Sequence, residues 1–263
     1  MDLLKIAIAT NGLGSSLRDS IATAAQSGAS GVQFDLRTEV PADQFGETAS
    51  QQLRHLLSEG TLQLASATFP LRRPLYDPVE IDGRVHVVKE AIRLCGRLKC
   101  RVLTLRVGRI PDEKDIDNRA RLQGALSDLA RLGAREGVTP ALSTSGDSAA
   151  ELRKLIESIK DGPVGIDLDP AGCIAGQLAP VSVLSELHQS VLHVQGRDAV
   201  RDLEAGSREM PMGRGETPWD EVIATLADMR YPGWITVRRT GGDQQSLDSF
   251  NAVRFLKTIA GGE

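Results

Sequence analysis

The stretch Val164-Gly165-Ile166-Asp167-Leu168-Asp169 alternates apolar side chains with small or acidic ones. A period of two sends the two sets to opposite faces of a β-strand. Three further runs in the second half of the chain share the pattern: Thr139-Pro140-Ala141-Leu142-Ser143, Val191-Leu192-His193-Val194-Gln195 and Trp234-Ile235-Thr236-Val237-Arg238. Each ends on a polar residue. Side by side in one sheet, these runs would bring Ser143, Asp169, Gln195 and Arg238 to a common end, and that end is where function is to be sought.

Outward from these runs the chain repeats strand then helix. Towards the N-terminus, strands are expected near Lys5–Thr10, Gly31–Leu36, Leu62–Ala67 and Val102–Leu105. Helices are expected over Leu17–Gln26, Ser50–Ser58, Arg84–Leu98 and Ile116–Glu136, the last with Leu122, Leu126 and Leu129 at helical spacing. The later strands alternate with helices over Ala149–Ile159, Val181–Leu187, Trp219–Asp228 and Leu247–Ile259. Thr217-Pro218 ahead of Trp219 reads as a helix start, a capping hydroxyl followed by proline in the first turn. Eight strands alternating with eight helices is the count of a closed (β/α)8 barrel. A doubly wound open sheet is the second choice, and no compositional break divides residues 1–263 into domains.

Composition narrows the partners. A net charge of −4 argues against a nucleic-acid backbone, which favours a basic face. Aromatics make up 3% of the chain, so Leu, Val, Ile and Ala must build the core. Cys95, Cys100 and Cys173 are odd in number and lack metal-like spacing, which fits a reduced, cytoplasmic chain without a disulfide framework. The first ten residues, with Asp2 and Lys5 among them, read as the entry to a first strand and not as a signal peptide. No apolar run reaches bilayer-spanning length.

If helices cover the apolar face of each strand, the interior set can be read off. It comprises Gln33, Asp35 and Arg37, then Thr104 and Arg106, Asp167 and Asp169, His193 and Gln195, and finally Thr236 and Arg238. Ordinary barrel interiors are bulky and aliphatic; this one is polar at the ends where barrel enzymes hold ligands. Arg37, Arg72, Arg73, Arg106 and Arg197 fall near the same rim. Arginine forks match carboxylate and phosphate oxygens, so a small anionic ligand is expected, although arginines that merely neutralise neighbouring acids would look the same.

Several of these segments resemble the xylose isomerase-like TIM-barrel family of sugar phosphate isomerases and epimerases. Gly137–Ser143 is similar to its fifth strand, Val164–Ala171 to its sixth, and His193-Val194-Gln195-Gly196-Arg197-Asp198 to its seventh. Met210-Pro211-Met212-Gly213-Arg214-Gly215 with Trp219-Asp220 resembles the turn that follows, and Tyr231–Arg238 the eighth strand. The resemblance implies a divalent metal held by two glutamates, an aspartate and a histidine, with the glutamates moving protons beside a carbonyl. At the matching positions stand Ser143, Asp169, Gln195 and Arg238, so the formal charge goes from −3 to zero. Arginine stays protonated and cannot ligate a cation. No cofactor or metal is therefore expected, and Arg238 is expected to replace the cation as partner of Asp169.

Asp169, His193 and Asp35 remain as acid–base candidates, and a small sugar-like, polyol or anionic ligand is the expected partner, with self-association left open. Ligand contacts are expected from Arg37, Arg72, Arg106, Ser143, Asp169, His193, Gln195, Arg197 and Arg238. Three activities compete: a divergent isomerase or epimerase, a non-catalytic ligand-binding or sensor protein, and a metal-independent lyase or hydrolase. His55, His86 and His188 fall on helices, and Asn11–Ser16 reads as a turn, since it lacks the third glycine of a phosphate loop. Nothing near Cys173 marks it as a nucleophile.

Overall fold

Eight of the strands are parallel and close on themselves. They are β1 (Lys5–Ala9), β2 (Gly31–Asp35), β3 (Gln63–Thr68), β4 (Val102–Leu105), β5 (Thr139–Ser143), β6 (Gly165–Leu168), β7 (Val191–Gly196) and β10 (Trp234–Val237). Their order around the barrel is β1-β10-β7-β6-β5-β4-β3-β2, with β2 pairing again with β1. The structure is a computed structural model, and it describes residues 4–144, 146–202 and 206–261. The N-terminal reading of residues 1–3 lies outside that range.

Helices α1 (Leu17–Gln26), α2 (Glu47–Glu59), α3 (Ile81–Leu98), α4 (Ile116–Glu136) and α5 (Ala149–Ser158) follow the first five strands in turn. After β6 come α6 (Pro170–Ala175) and α7 (Pro180–Leu187), then α8 (Trp219–Asp228) and α9 (Gln245–Ile259). Local signals account for several starts. Ser16 accepts from the Asp19 amide at the head of α1, and Ser148 with Glu151 forms a capping box at the head of α5. Thr217 does not cap α8 as its sequence suggested. Its hydroxyl finds no partner among the described residues, because its amide is bound by Asp198 and Pro218 takes the cap position.

The main core lies between barrel and helices. Val32, Phe34 and Leu36 are sealed from solvent, as are Leu103, Leu105, Ile166, Leu168, Val194 and Ile235. The opposite faces carry buried polar groups: Gln33, Ser66, Thr104, Asp167, His193 and Thr236. Two register shifts position this inner set. One lies where Val32/Gln33 face Leu64/Ser66, the other where Ile166/Asp167 face Val191/His193. Each adds one residue, Ala65 or Leu192, just before the side chain it re-aims.

The sequence also hides one antiparallel element. Strands β8 (Asp198–Asp202) and β9 (Gly206–Met210) form a hairpin outside the barrel order. Asp198 organises its return: its carboxylate accepts from the amides of Gly213, Gly215 and Thr217.

Candidate functional site

A belt of hydrogen bonds fills the barrel interior. His193 Nδ1 lies 2.7 Å from Asp167 Oδ1, and its Nε2 lies 2.7 Å from Thr236 Oγ1 and 3.0 Å from Ser66 Oγ. Strands β3 and β7 are diametrically opposite in the barrel order, so the Ser66–His193 contact spans the lumen. Gln33 Nε2 donates to Ser66 Oγ at 2.8 Å. On the other side, Ser143 Oγ and Gln195 Nε2 donate to Asp167 Oδ2 at 2.6 and 2.5 Å. The carboxylate at Nδ1 assigns the ring proton to that nitrogen, leaving Nε2 to face the two hydroxyls.

Ser66, His193 and Asp167 thus have the connectivity of a nucleophilic triad. Their exposures of 0%, 1% and 0% deny a substrate any approach. The belt is a cross-tie between strands. Buried polar groups of this kind are tolerated when each finds a partner.

Above the belt, at the C-terminal end of the strands, lies a cleft of about 390 Å³. Arg106, Arg109, Thr144, Asp169, Arg197 and Glu209 are among its lining residues. Arg197 Nη1 donates to Asp169 Oδ2 at 2.7 Å, and its Nε points at Glu209 Oε1 at 3.3 Å. Glu209, on β9, also accepts from Thr240 and pairs with Arg239. The hairpin is thereby fastened to the segment after β10. Thr144 fixes the Asp169 backbone, accepting from its amide at 3.0 Å.

Asp169 feels opposing influences. Burial pushes its carboxyl above the ordinary aspartate value, and the Arg197 charge and the Gly172 amide oppose that rise. The Asp169 charge in turn holds Arg197 more firmly protonated. With a charge-assisted contact of 2.7 Å between Arg197 and Asp169, the ion pair is the state assigned at neutral pH. Asp169 Oδ1 has no hydrogen-bond partner among the described residues. Nearby, burial pushes the Cys173 thiol up to about 12, so it is not a nucleophile at neutral pH.

The counter-ion of Asp169 is therefore Arg197, and the expected pairing with Arg238 is corrected. Arg238 lines a small gap beneath the hairpin with Gly196, Met210 and Met212. Its charge is felt at Glu39, whose carboxyl is raised chiefly by burial. Asp35 is also spoken for: its Oδ1 accepts from the Arg37 and Thr38 amides in a tight turn. Arg37 donates to the Pro70 carbonyl and sits over the Phe69 ring, bracing the loop after β3. Arg72 is exposed and is not among the residues lining the cleft, and Arg73 pairs with Asp77. Of the residues named from sequence, Arg106, Asp169 and Arg197 meet in the cleft, while Ser143, His193 and Gln195 belong to the belt beneath it.

Sequence reasoning passed over Ser66, Arg109, Thr144 and Glu209. Arg109 carried the same signal as its rim neighbours, lying four residues past a strand end. Glu209 carried none, because the hairpin that delivers it was unread.

Comparison with known proteins accords with the barrel. A sequence model described as the xylose isomerase-like TIM barrel matches residues 21–259. The chain belongs to that family. No curated protein matches it. Among solved structures, it is similar to a xylose isomerase domain protein from Planctomyces limnophilus, with TM-score 0.86 and 21% identity over 98% of this chain and 97% of that one. It is similar to a probable 3-DHS dehydratase from Bacillus anthracis, with TM-score 0.79 and 16% identity over 97% and 99%. A third is the 3-keto-D-glucoside 4-epimerase from E. coli, with TM-score 0.78 and 14% identity over 97% and 99%. Likeness at these identities establishes a shared barrel.

The divalent metal implied by the xylose isomerase-like resemblance can be tested against the residues present. Ser143 and Gln195 turn their polar atoms to Asp167, Asp169 holds Arg197, and Arg238 is a permanent cation. Among the described residues, no group of three or more His, Cys, Asp or Glu side chains is placed to hold a metal ion. Hard divalent cations take several oxygen ligands, carboxylates foremost, and this donor set does not fit one.

Proposed function

We propose that the chain binds a small anionic, sugar-like ligand in the cleft at the barrel mouth, without the metal-dependent route that the family resemblance implies. The observation that carries this reading is the charge of the cleft. Arg106, Arg109 and Arg197 contribute +3 and Asp169 and Glu209 contribute −2, leaving +1 within about 390 Å³. Arg197 already pairs with both acids, and neither Arg106 nor Arg109 forms an ion pair among the described residues, so their forks can meet a ligand. That volume lies in the lower part of the range for small-molecule sites, roughly 300–1,000 Å³. Three unpaired, buried cysteines support a reduced cytoplasmic setting, and no helix among the described residues is long and apolar enough to cross a membrane.

Residual proton transfer is the second reading, and one observation favours it. Burial raises the Asp169 carboxyl above the ordinary aspartate value, in a cleft a ligand can enter. His193 and Asp35 do not reach that cleft. No metal chemistry enters either reading.

A thermal-shift series with sugar phosphates and sugar acids tests the binding reading. Anions held only by the folded state are expected to raise the melting temperature, by about 2.7 kcal/mol of stability at a hundredfold excess over Kd. Arg106→Gln is expected to remove most of that gain while leaving the ligand-free melting temperature unchanged within about 0.5 kcal/mol, as for other exposed positions. Equal shifts in the wild type and the variant would count against this site.

A further inference from the structure

We propose that the cleft selects a ligand carrying both an anionic group and a hydroxyl, the anion held by Arg106 and Arg109 and the hydroxyl donated to Asp169. The inference rests on the binding reading above and narrows it to hydroxylated carboxylates or polyol phosphates.

Two unsatisfied functions lie in one cavity. Asp169 is 6% exposed, yet its Oδ1 receives no hydrogen bond, although its Oδ2 is held by Arg197. A buried carboxylate oxygen without a donor costs free energy that a ligand donor would recover. Thr144 cannot supply that donor, since its hydroxyl serves the Asp169 backbone. Across the cleft, Arg106 makes no hydrogen bond or ion pair among the described residues, but its charge is felt at Asp169. The Arg109 guanidinium makes one long hydrogen bond, 3.4 Å to the Gly146 carbonyl, and its charge is also felt at Asp147.

Oδ1 is covered in the ligand-free form. The carboxylate torsion of aspartate is soft and nearly two-fold, so a turn about it exposes one oxygen while the other keeps Arg197. A neutral polyol would satisfy Asp169 and leave the guanidinium groups unused. A plain anion would satisfy the guanidinium groups and leave the carboxylate oxygen orphaned. Only a ligand with both groups completes the site.

Titration calorimetry with matched probes separates the possibilities: D-gluconate, hexanoate and D-sorbitol, then D-sorbitol 6-phosphate and hexyl phosphate. D-Gluconate or D-sorbitol 6-phosphate is expected to bind at least about tenfold tighter than its deoxygenated and its neutral counterpart, since a site built to bond a hydroxyl rejects the analogue without one. Whichever of the two binds tighter identifies the anion as carboxylate or phosphate. Arg106→Gln is expected to reduce that preference over D-sorbitol about tenfold or more. If hexanoate or hexyl phosphate binds as tightly as its hydroxylated partner, the hydroxyl proposal is overturned and the anion reading stands. If D-sorbitol equals D-gluconate, or no probe binds at millimolar concentration, both are overturned.

Discussion

Replacing His193 with leucine is expected to lower stability by about 3–5 kcal/mol, the cost of stripping a buried charge of its partner. The imidazole is enclosed, 1% exposed, between Asp167 on one side and Thr236 and Ser66 on the other. Leucine fills similar volume but leaves Asp167 Oδ1 and two buried hydroxyls without that partner. For a chain of this size the melting temperature should fall by about 10 °C, at roughly 2–4 °C per kcal/mol. Differential scanning calorimetry reads the shift directly. A double-mutant cycle then assigns the cause: in an Asp167→Asn background, the same His193→Leu change is expected to cost less by about 1–3 kcal/mol. Equal costs in both backgrounds would mean that packing, not the ion-bearing hydrogen bond, holds the belt together.

The second large effect separates two arginines. Arg197→Met is expected to cost about 3 kcal/mol or more, because Asp169 is left buried without its cation and Glu209 loses one of its ties. It should also weaken the thermal shift given by anionic ligands, because the charge of the cleft falls from +1 to zero. Arg238→Met removes a charge that makes no ion pair with Asp169, and it is expected to cost about 1 kcal/mol, the ordinary value for a single substitution. Chemical denaturation of the two variants side by side decides the matter. A larger loss from Arg238→Met than from Arg197→Met would return the counter-ion role to the end of β10.

The difference between those arginines shows where sequence reading stopped. Period-two alternation was enough to close the barrel and to turn Gln33, Asp167, His193 and Thr236 inward, because apolar and polar residues contrast sharply along β2, β6, β7 and β10. It did not find Ser66, which stands between Ala65 and Ala67, small residues that mark no face, and beside a register shift that periodicity does not encode. The choice of Arg238 followed from matching positions along strands. The actual partner comes from Arg197, one residue past the end of β7, at the hinge into the β8–β9 hairpin. That hairpin was hidden because its strands, Asp198–Asp202 and Gly206–Met210, are largely polar and show no apolar alternation, and it carries Glu209 with it. Asp35 lies outside the cleft lining, and its carboxylate closes the turn that ends its own strand, an arrangement short side chains favour wherever free amides follow.

The same contrast bears on the four positions that match the family's metal ligands. Their residue types could be read from sequence, but not what they do instead. Ser143 and Gln195 bind Asp167, so the belt occupies donors that a cation would otherwise require. Asp169 is neutralised by a guanidinium supplied from a neighbouring position. The charge balance at the barrel mouth is therefore one positive charge in excess, and a divalent cation would have to compete with Arg197 for the Asp169 carboxylate.

Elemental analysis of the purified protein, after dialysis against manganese, zinc or magnesium and removal of unbound ion, puts that balance to the most direct test. Far less than one equivalent of any of them is expected to remain, with the melting temperature unchanged by metal or by chelator. One retained equivalent that the chelator strips, with a matching fall in melting temperature and loss of the ion in Asp169→Asn, would contradict it.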